Sequence, residues 1–176
     1  MVNNEKLLTL SPTLTLIITK DGNNWRGKMK KVRFNLNGEY VEVKVDDGEL
    51  LLDTLRDRLK VKSVKHGCGI GECGTCTVLI NNEPVYSCLT LTESIEGRSI
   101  TTVEGIKFNE LKESFLKTGA IQCGFCTPGM ILVASSLLNK KKNLSKEEIK
   151  LAISGNLCRC TGYNQIVEAI ENVCKN

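Results

Sequence analysis

Nine cysteines in a chain of 176 residues limit what this protein can fold into more than any other feature. Free cysteine is normally a small buried hydrophobe scattered along a sequence. Here Cys68, Cys73 and Cys76 share the run HGCGIGECGTC, and Cys88 follows in VYSC. Cys123 and Cys126 share QCGFCTPG, and Cys158 and Cys160 share CRCTGY. Cys174 falls outside these groups, in step with Val167 and Ile170 on a predicted helical face, and reads as a buried hydrophobe.

Clustered thiols are either disulfide partners or metal ligands. The opening MVNNEKLLTLSPTLTLII lacks a basic leader, is interrupted by Pro12 and has no small-residue cleavage site after it. Reduced thiols in the cytoplasm are therefore expected. The same stretch is too short and too rich in Thr and Ser to span a bilayer, which takes about 20 mostly apolar residues. Lys and Arg total 24 against 20 Asp and Glu, a net charge of +4. The short basic run from Lys140 to Asn143 reads as a solvated loop. Neither membrane insertion nor nucleic-acid binding is expected.

The periodicity changes midway along the chain. Val32, Phe34 and Leu36 alternate, Asn37-Gly38 signals a tight turn, and Val41, Val43 and Val45 alternate again, which predicts a hairpin. Leu51, Leu52, Leu55 and Leu59 predict one helix, and strands are expected from Cys76 to Ile80 and from Val85. Beyond a join at 94–107, helices are expected over 110–117, 128–139, 146–154 and 164–174. Asn109 is the expected cap of the first, Thr127 with Pro128 opens the second, and Ser145 with Glu148 makes a capping box for the third. Their apolar stripes suggest a four-helix packing unit. Residues 1–28 alternate apolar residues with Thr or Ser and read either as an added strand or as a loose, disordered extension.

The first cysteine set begins C-x4-C-x2-C, the plant-type 2Fe-2S spacing. Gly67, Gly69, Gly71 and Gly74 are expected to let the backbone adopt positive φ and wrap a bulky anionic core, with N–H groups aimed at sulfur. In the second set, Cys123 and Cys126 start one predicted helix and Cys158 and Cys160 precede another. Helix N-termini carry partial positive charge, which favours thiolates and a bound anion. Cys123 and Cys126 thus need Cys158 and Cys160 to complete a cage of four thiolates. Tetrahedral zinc remains an alternative occupant of either set, because C-x2-C pairs also serve that ion.

The motifs GCGIGECGTC, the later Cys88, QCGFCTPGM and GNLCRCTGY occur in this order between about Met29 and the C-terminus. Together they resemble the iron-sulfur small subunit of molybdenum hydroxylases, of the xanthine dehydrogenase, aldehyde oxidase and carbon monoxide dehydrogenase type. The resemblance implies an α+β chain. Residues 29–105 would form an N-terminal β-grasp, plant-ferredoxin-like domain, and 106–176 a C-terminal four-helix 2Fe-2S-binding domain.

It also implies two 2Fe-2S clusters, one on Cys68, Cys73, Cys76 and Cys88, the other on Cys123, Cys126, Cys158 and Cys160. A large partner subunit would carry molybdopterin with molybdenum and a medium subunit FAD, in a heterotrimer or its dimer. The chain would relay electrons from molybdenum, through the second cysteine set and then the first, to the flavin. Substrate, such as an aldehyde, a purine, carbon monoxide or an N-heterocycle, would react on the large subunit, so no catalytic residue is expected here. Gln122 matches the glutamine that hydrogen-bonds the pterin in that family. His66 reads as an exposed loop histidine or a donor to sulfur, and Arg159 as a counter-charge to the cluster or to a partner.

Two other functions fit the cysteine count. A zinc-stapled interaction module would use the eight thiolates structurally, and a stand-alone ferredoxin would serve soluble partners.

Overall fold

The computed structural model describes residues 29–174, so the strand or extension expected over 1–28 lies outside the described residues. β1, Lys30–Leu36, and β2, Glu39–Val45, form the predicted hairpin, with Leu36 opposite Glu39 and Lys30 opposite Val45. Asn37 and Gly38 both take positive φ, 56° and 97°, the turn geometry that matches strand twist. Val32, Phe34, Val43 and Val45 are buried.

The helix predicted from four leucines is shorter than its spacing suggests. α1 covers Leu51–Asp53 and passes into a π-helical turn over Thr54–Arg58, in which Leu59 N–H reaches the Thr54 carbonyl at 3.0 Å. The wider turn accompanies an inward Thr54, whose hydroxyl donates to Glu49 Oε1 at 2.6 Å and lies 2.7 Å from Thr92 Oγ1. Leu51, Leu52 and Leu55 are buried as expected.

β3, Thr77–Ile80, and β4, Glu83–Tyr86, make a second hairpin. β5, Ser99–Thr101, runs parallel to β1 and antiparallel to β3, giving the order β2-β1-β5-β3-β4. The stretch read as a simple join therefore also supplies the central strand. Three residues are too few to show a period of two.

Four helices follow. α2, Asn109–Lys117, starts at Asn109 with Phe108 at the N-cap, so the expected Asn109 cap is not made. α3, Thr127–Lys140, has Cys126 rather than Thr127 at its N-cap and Pro128 in its first turn. α4, Lys146–Ile153, has the predicted capping box: Glu148 N–H donates to Ser145 Oγ at 3.2 Å and Ser145 N–H to Glu148 Oε2 at 2.8 Å. α5 spans Asn164–Cys174. With α1 in the first half, the described residues carry five α-helical segments in an α+β arrangement.

Two apolar cores result. One joins Val32, Phe34, Leu51, Leu55, Val78 and Ile100 between the sheet and α1. The other joins Leu111, Phe115, Met130, Leu132, Ile149 and Ile170 among α2 to α5. Leu79 of β3 belongs to this second core, so every residue of β3 is buried. Ser136 of α3 donates to the Asn82 carbonyl at 2.8 Å, and Lys140 pairs with Glu83 at 2.6 Å, fastening α3 across the β3-β4 hairpin. No helix among the described residues is long and apolar enough to cross a membrane.

Candidate metal centres

The first cysteine set is built by one loop and one hairpin. Between the π turn and β3 the chain folds back on itself, so that Cys68 Sγ accepts from the N–H groups of Ile70, Glu72 and Cys73 at 3.5, 3.3 and 3.4 Å. Cys68 N–H in turn points at Cys73 Sγ, 3.4 Å away. The β3-β4 hairpin supplies the other two thiols. Cys76 immediately precedes β3, and Cys88 sits in a 3-10 turn after β4, where Ser87 Oγ donates to the Cys76 carbonyl at 2.7 Å.

Gly69, Gly71 and Gly74 do take positive φ, as expected of this loop, and Gly67 does not. Its absent side chain serves close approach instead, since a Cβ there would stand 2.8 Å from Cys73 Sγ.

The second set joins two loops. Cys123 and Cys126 precede α3, and Cys158 and Cys160 lie between α4 and α5. Cys160 Sγ is 3.6 Å from Cys123 Sγ, and Cys126 neighbours Cys158. Thr161 Oγ1 donates to Cys158 Sγ at 3.2 Å, and Cys158 N–H donates to Tyr163 Oη at 2.9 Å, which anchors this loop to the start of α5.

Each set runs from exposed to buried thiols, with one thiol half-buried between. Cys68 is exposed and Cys73 half-buried, whereas the neighbouring Cys76 and Cys88 are buried. Cys123 and Cys160 are exposed, Cys126 is buried and Cys158 half-buried. Among the described residues, no group of three or more His, Cys, Asp or Glu is arranged to hold a metal ion. The thiols approach in pairs instead, and a two-and-two donor set fits a two-iron core, in which each iron takes two thiolates.

The electrostatics follow this gradient only in the first set, since in the second the contact with Cys123 raises the exposed Cys160 thiol above its ordinary value. The N–H groups of Ile70 and Cys73 bring the Cys68 thiol down to about 6, so this position readily carries a thiolate. Burial, together with Cys76, pushes Cys88 up to about 11. Burial, together with Cys158, pushes Cys126 up to about 12, outweighing the helix-start effect expected to lower it. At Cys158 burial acts upward, but the Thr161 hydroxyl and N–H groups hold the thiol below its ordinary value.

Gln122 is exposed directly beside the exposed Cys123. His66 is exposed, its ring close to Gly69, and Arg159 is exposed beside Cys160. Cys174 is half-buried against the helical core, with its S–H on the Ile170 carbonyl at 3.2 Å. Sequence reasoning missed Tyr86, Asn156 and Thr161, which support the ligand loops. Each lies one or two positions from a motif cysteine, the one signal that could have marked them.

Two family models match the chain. One, described as a 2Fe-2S iron-sulfur cluster binding domain, covers residues 34–100, and the other, a 2Fe-2S binding domain, covers 102–171. The chain is 47% identical over 143 residues to the nicotinate dehydrogenase small FeS subunit of Eubacterium barkeri, covering 79% of this chain and 91% of that one. It is 41% identical over 145 residues to the xanthine dehydrogenase iron-sulfur-binding subunit of Escherichia coli O157:H7, with 79% and 91% covered. Its fold superposes on quinoline 2-oxidoreductase from Pseudomonas putida 86 with a TM-score of 0.80 and 42% identity, over 83% of this chain and 93% of that one.

Proposed function

The chain belongs to the family of 2Fe-2S iron-sulfur subunits of molybdenum hydroxylases, and on that premise we propose that it is the electron-transfer subunit of such an oxidoreductase complex. The observation that carries this reading is the pair of four-thiol sites, each grading from an exposed thiol to a buried one. Cys68, Cys73, Cys76 and Cys88 hold one 2Fe-2S cluster, and Cys123, Cys126, Cys158 and Cys160 the other. When bound, each supplies a one-electron couple. The chain's residues supply the setting: N–H groups aimed at Cys68, the Thr161 hydroxyl on Cys158, and burial of the inner thiols.

Residues 29–105 are the β-grasp, ferredoxin-like domain and 106–176 the four-helix domain, a division supported by the two cores and by the extents of the two family models. The partners are a large molybdopterin subunit and a medium FAD subunit, in a heterotrimer or its dimer, in the cytoplasm. The exposed edge of Cys123 and Cys160 is the entry side. There the Gln122 amide, which can donate and accept, meets the pterin. The Cys68 edge is the exit side toward flavin. This chain does no substrate chemistry. Relatives named for nicotinate and quinoline support an N-heteroaromatic ring, ahead of an aldehyde, as the substrate of the complex.

Anaerobically prepared full-length chain should be brown and hold about four iron and four sulfide, the content of two clusters. It should bleach with dithionite and show two rhombic paramagnetic resonance signals. Cys123→Ser or Cys158→Ser should remove one signal and leave the other. A colourless chain holding two zinc ions after reconstitution with iron and sulfide would sink the reading in favour of a zinc-stapled module. Assay of the complex on a panel of N-heterocycles and aldehydes tests the substrate class.

A further inference from the structure

Three consecutive residues ahead of Cys158 are stitched to the loop and hairpin of the other thiol set. Tyr86 Oη donates to the Gly155 carbonyl at 2.8 Å, and Asn156 Nδ2 donates to the Gly74 carbonyl at 2.8 Å and to Thr77 Oγ1 at 3.3 Å. Leu157 N–H donates to the Cys73 carbonyl at 2.9 Å. The stitch therefore ends on a ligand position, Cys73, on one side and beside another, Cys158, on the other.

Asn156 is 2% exposed, and glycines make the space for it. Gly74, at φ 67°, has no Cβ to collide with the Gly155 carbonyl. A Cβ on Gly129, at the head of α3, would stand 2.8 Å from Asn156 Nδ2. The Gly74 carbonyl also accepts from Thr77 Oγ1 at 2.6 Å, so the amide docks on a carbonyl already held in place. A buried amide with its donors engaged and packed against two backbone segments keeps one orientation. It acts as a spacer of fixed length between the two loops.

We propose that Asn156 is a positioning residue for electron exchange between the two thiol sites, holding Leu157 N–H on the Cys73 carbonyl. The covalent path from Cys158 to Cys73 is then interrupted by that one hydrogen bond. Electronic coupling decays more slowly along such a path than through space, so the bond's length and alignment govern the exchange. The step moves one electron: one site is oxidised as the other is reduced, and no proton or atom is transferred. This inference rests on the two-cluster reading above.

The test compares the full chain carrying both clusters with Asn156→Ala and Tyr86→Phe. With both sites reduced, low-temperature paramagnetic resonance of the unaltered chain should show the splitting of two spins held close together. Asn156→Ala should shrink that splitting while each signal still integrates to one spin per chain, which a purely structural role would not predict. Hydrogen exchange of the peptide carrying Leu157, read by mass spectrometry, should quicken by about tenfold or more. Tyr86→Phe keeps the ring, removes only the bond to Gly155, and should change both readouts in the same direction. Undiminished splitting and unchanged exchange in Asn156→Ala, with both spins present, overturn the role. If Asn156→Ala does not fold, an unaffected Tyr86→Phe overturns it. An unaltered chain that fails to take up two 2Fe-2S clusters overturns the two-cluster reading instead, and the exchange measurement then still decides whether Asn156 is the spacer.

Discussion

Glu49 shows how one side chain secures the region that carries Cys88. Burial alone would raise its carboxyl pKa, but Arg58, the Thr54 hydroxyl and the Asp46 N–H hold it below the ordinary range. Arg58 Nε lies 2.7 and 2.9 Å from its two oxygens, and the Glu49 carbonyl accepts from Thr92 N–H at 2.9 Å. A lowered carboxyl pKa contributes stability above the unfolded value that is lost as pH falls through the folded one. Arg58→Met should therefore cost about 2 kcal/mol near neutral pH, the scale of hydrogen bonds to a charged group. The difference from the unaltered chain should narrow as pH falls from the ordinary carboxylate range, about pH 4, through the lower value that Arg58 imposes on Glu49 in the unaltered chain. Urea unfolding at neutral and acid pH measures this, and a gap that stays constant with pH would assign the loss to packing.

Among the elements, α4 owes its start to local chemistry and α2 to tertiary packing. The Ser145 and Glu148 box was legible because both partners lie within one turn. Ser145→Ala should cost about 1 kcal/mol, visible as a lower thermal midpoint. α2 has no side-chain cap and depends on Leu111 and Phe115, both fully buried, and on Ser114 Oγ donating to the Ala169 carbonyl of α5 at 2.7 Å. Phe115→Ala should cost about 3–5 kcal/mol and should weaken retention of iron at Cys126 and Cys158 before it affects the first site. Equal iron loss from both sites would show that the helical core does not act on its own cysteines first.

For the whole molecule, two cores meet at β3, whose Leu79 faces the helices while Val78 and Ile80 face the sheet's own core. Removing one ligand should therefore leave the other site standing. Cys76→Ser should lower bound iron by about half and keep the signal of the second site. Leu79→Ala, by contrast, opens the seam and should cost about 2–5 kcal/mol. Iron content and denaturant midpoints of the two variants separate these effects. Loss of both signals in Cys76→Ser would mean that the sites depend on each other for folding.

The hairpin turn at Asn37-Gly38, the spans of the later helices to within a residue or two, and the grouping of eight cysteines into two sets of four were legible in the chain alone. These rest on local rules: turn chemistry, helical periodicity, and thiol spacing too regular for packing. Long-range packing set residues 99–101 as the central strand, turned Thr54 inward, and put Cys126 at the N-cap position of α3 without a side-chain cap. It alone decided that Asn156 and Leu157 meet the loop of Cys73. Those contacts join residues far apart in the chain, where short segments and single polar side chains leave no periodic trace and are fixed only by what packs against them.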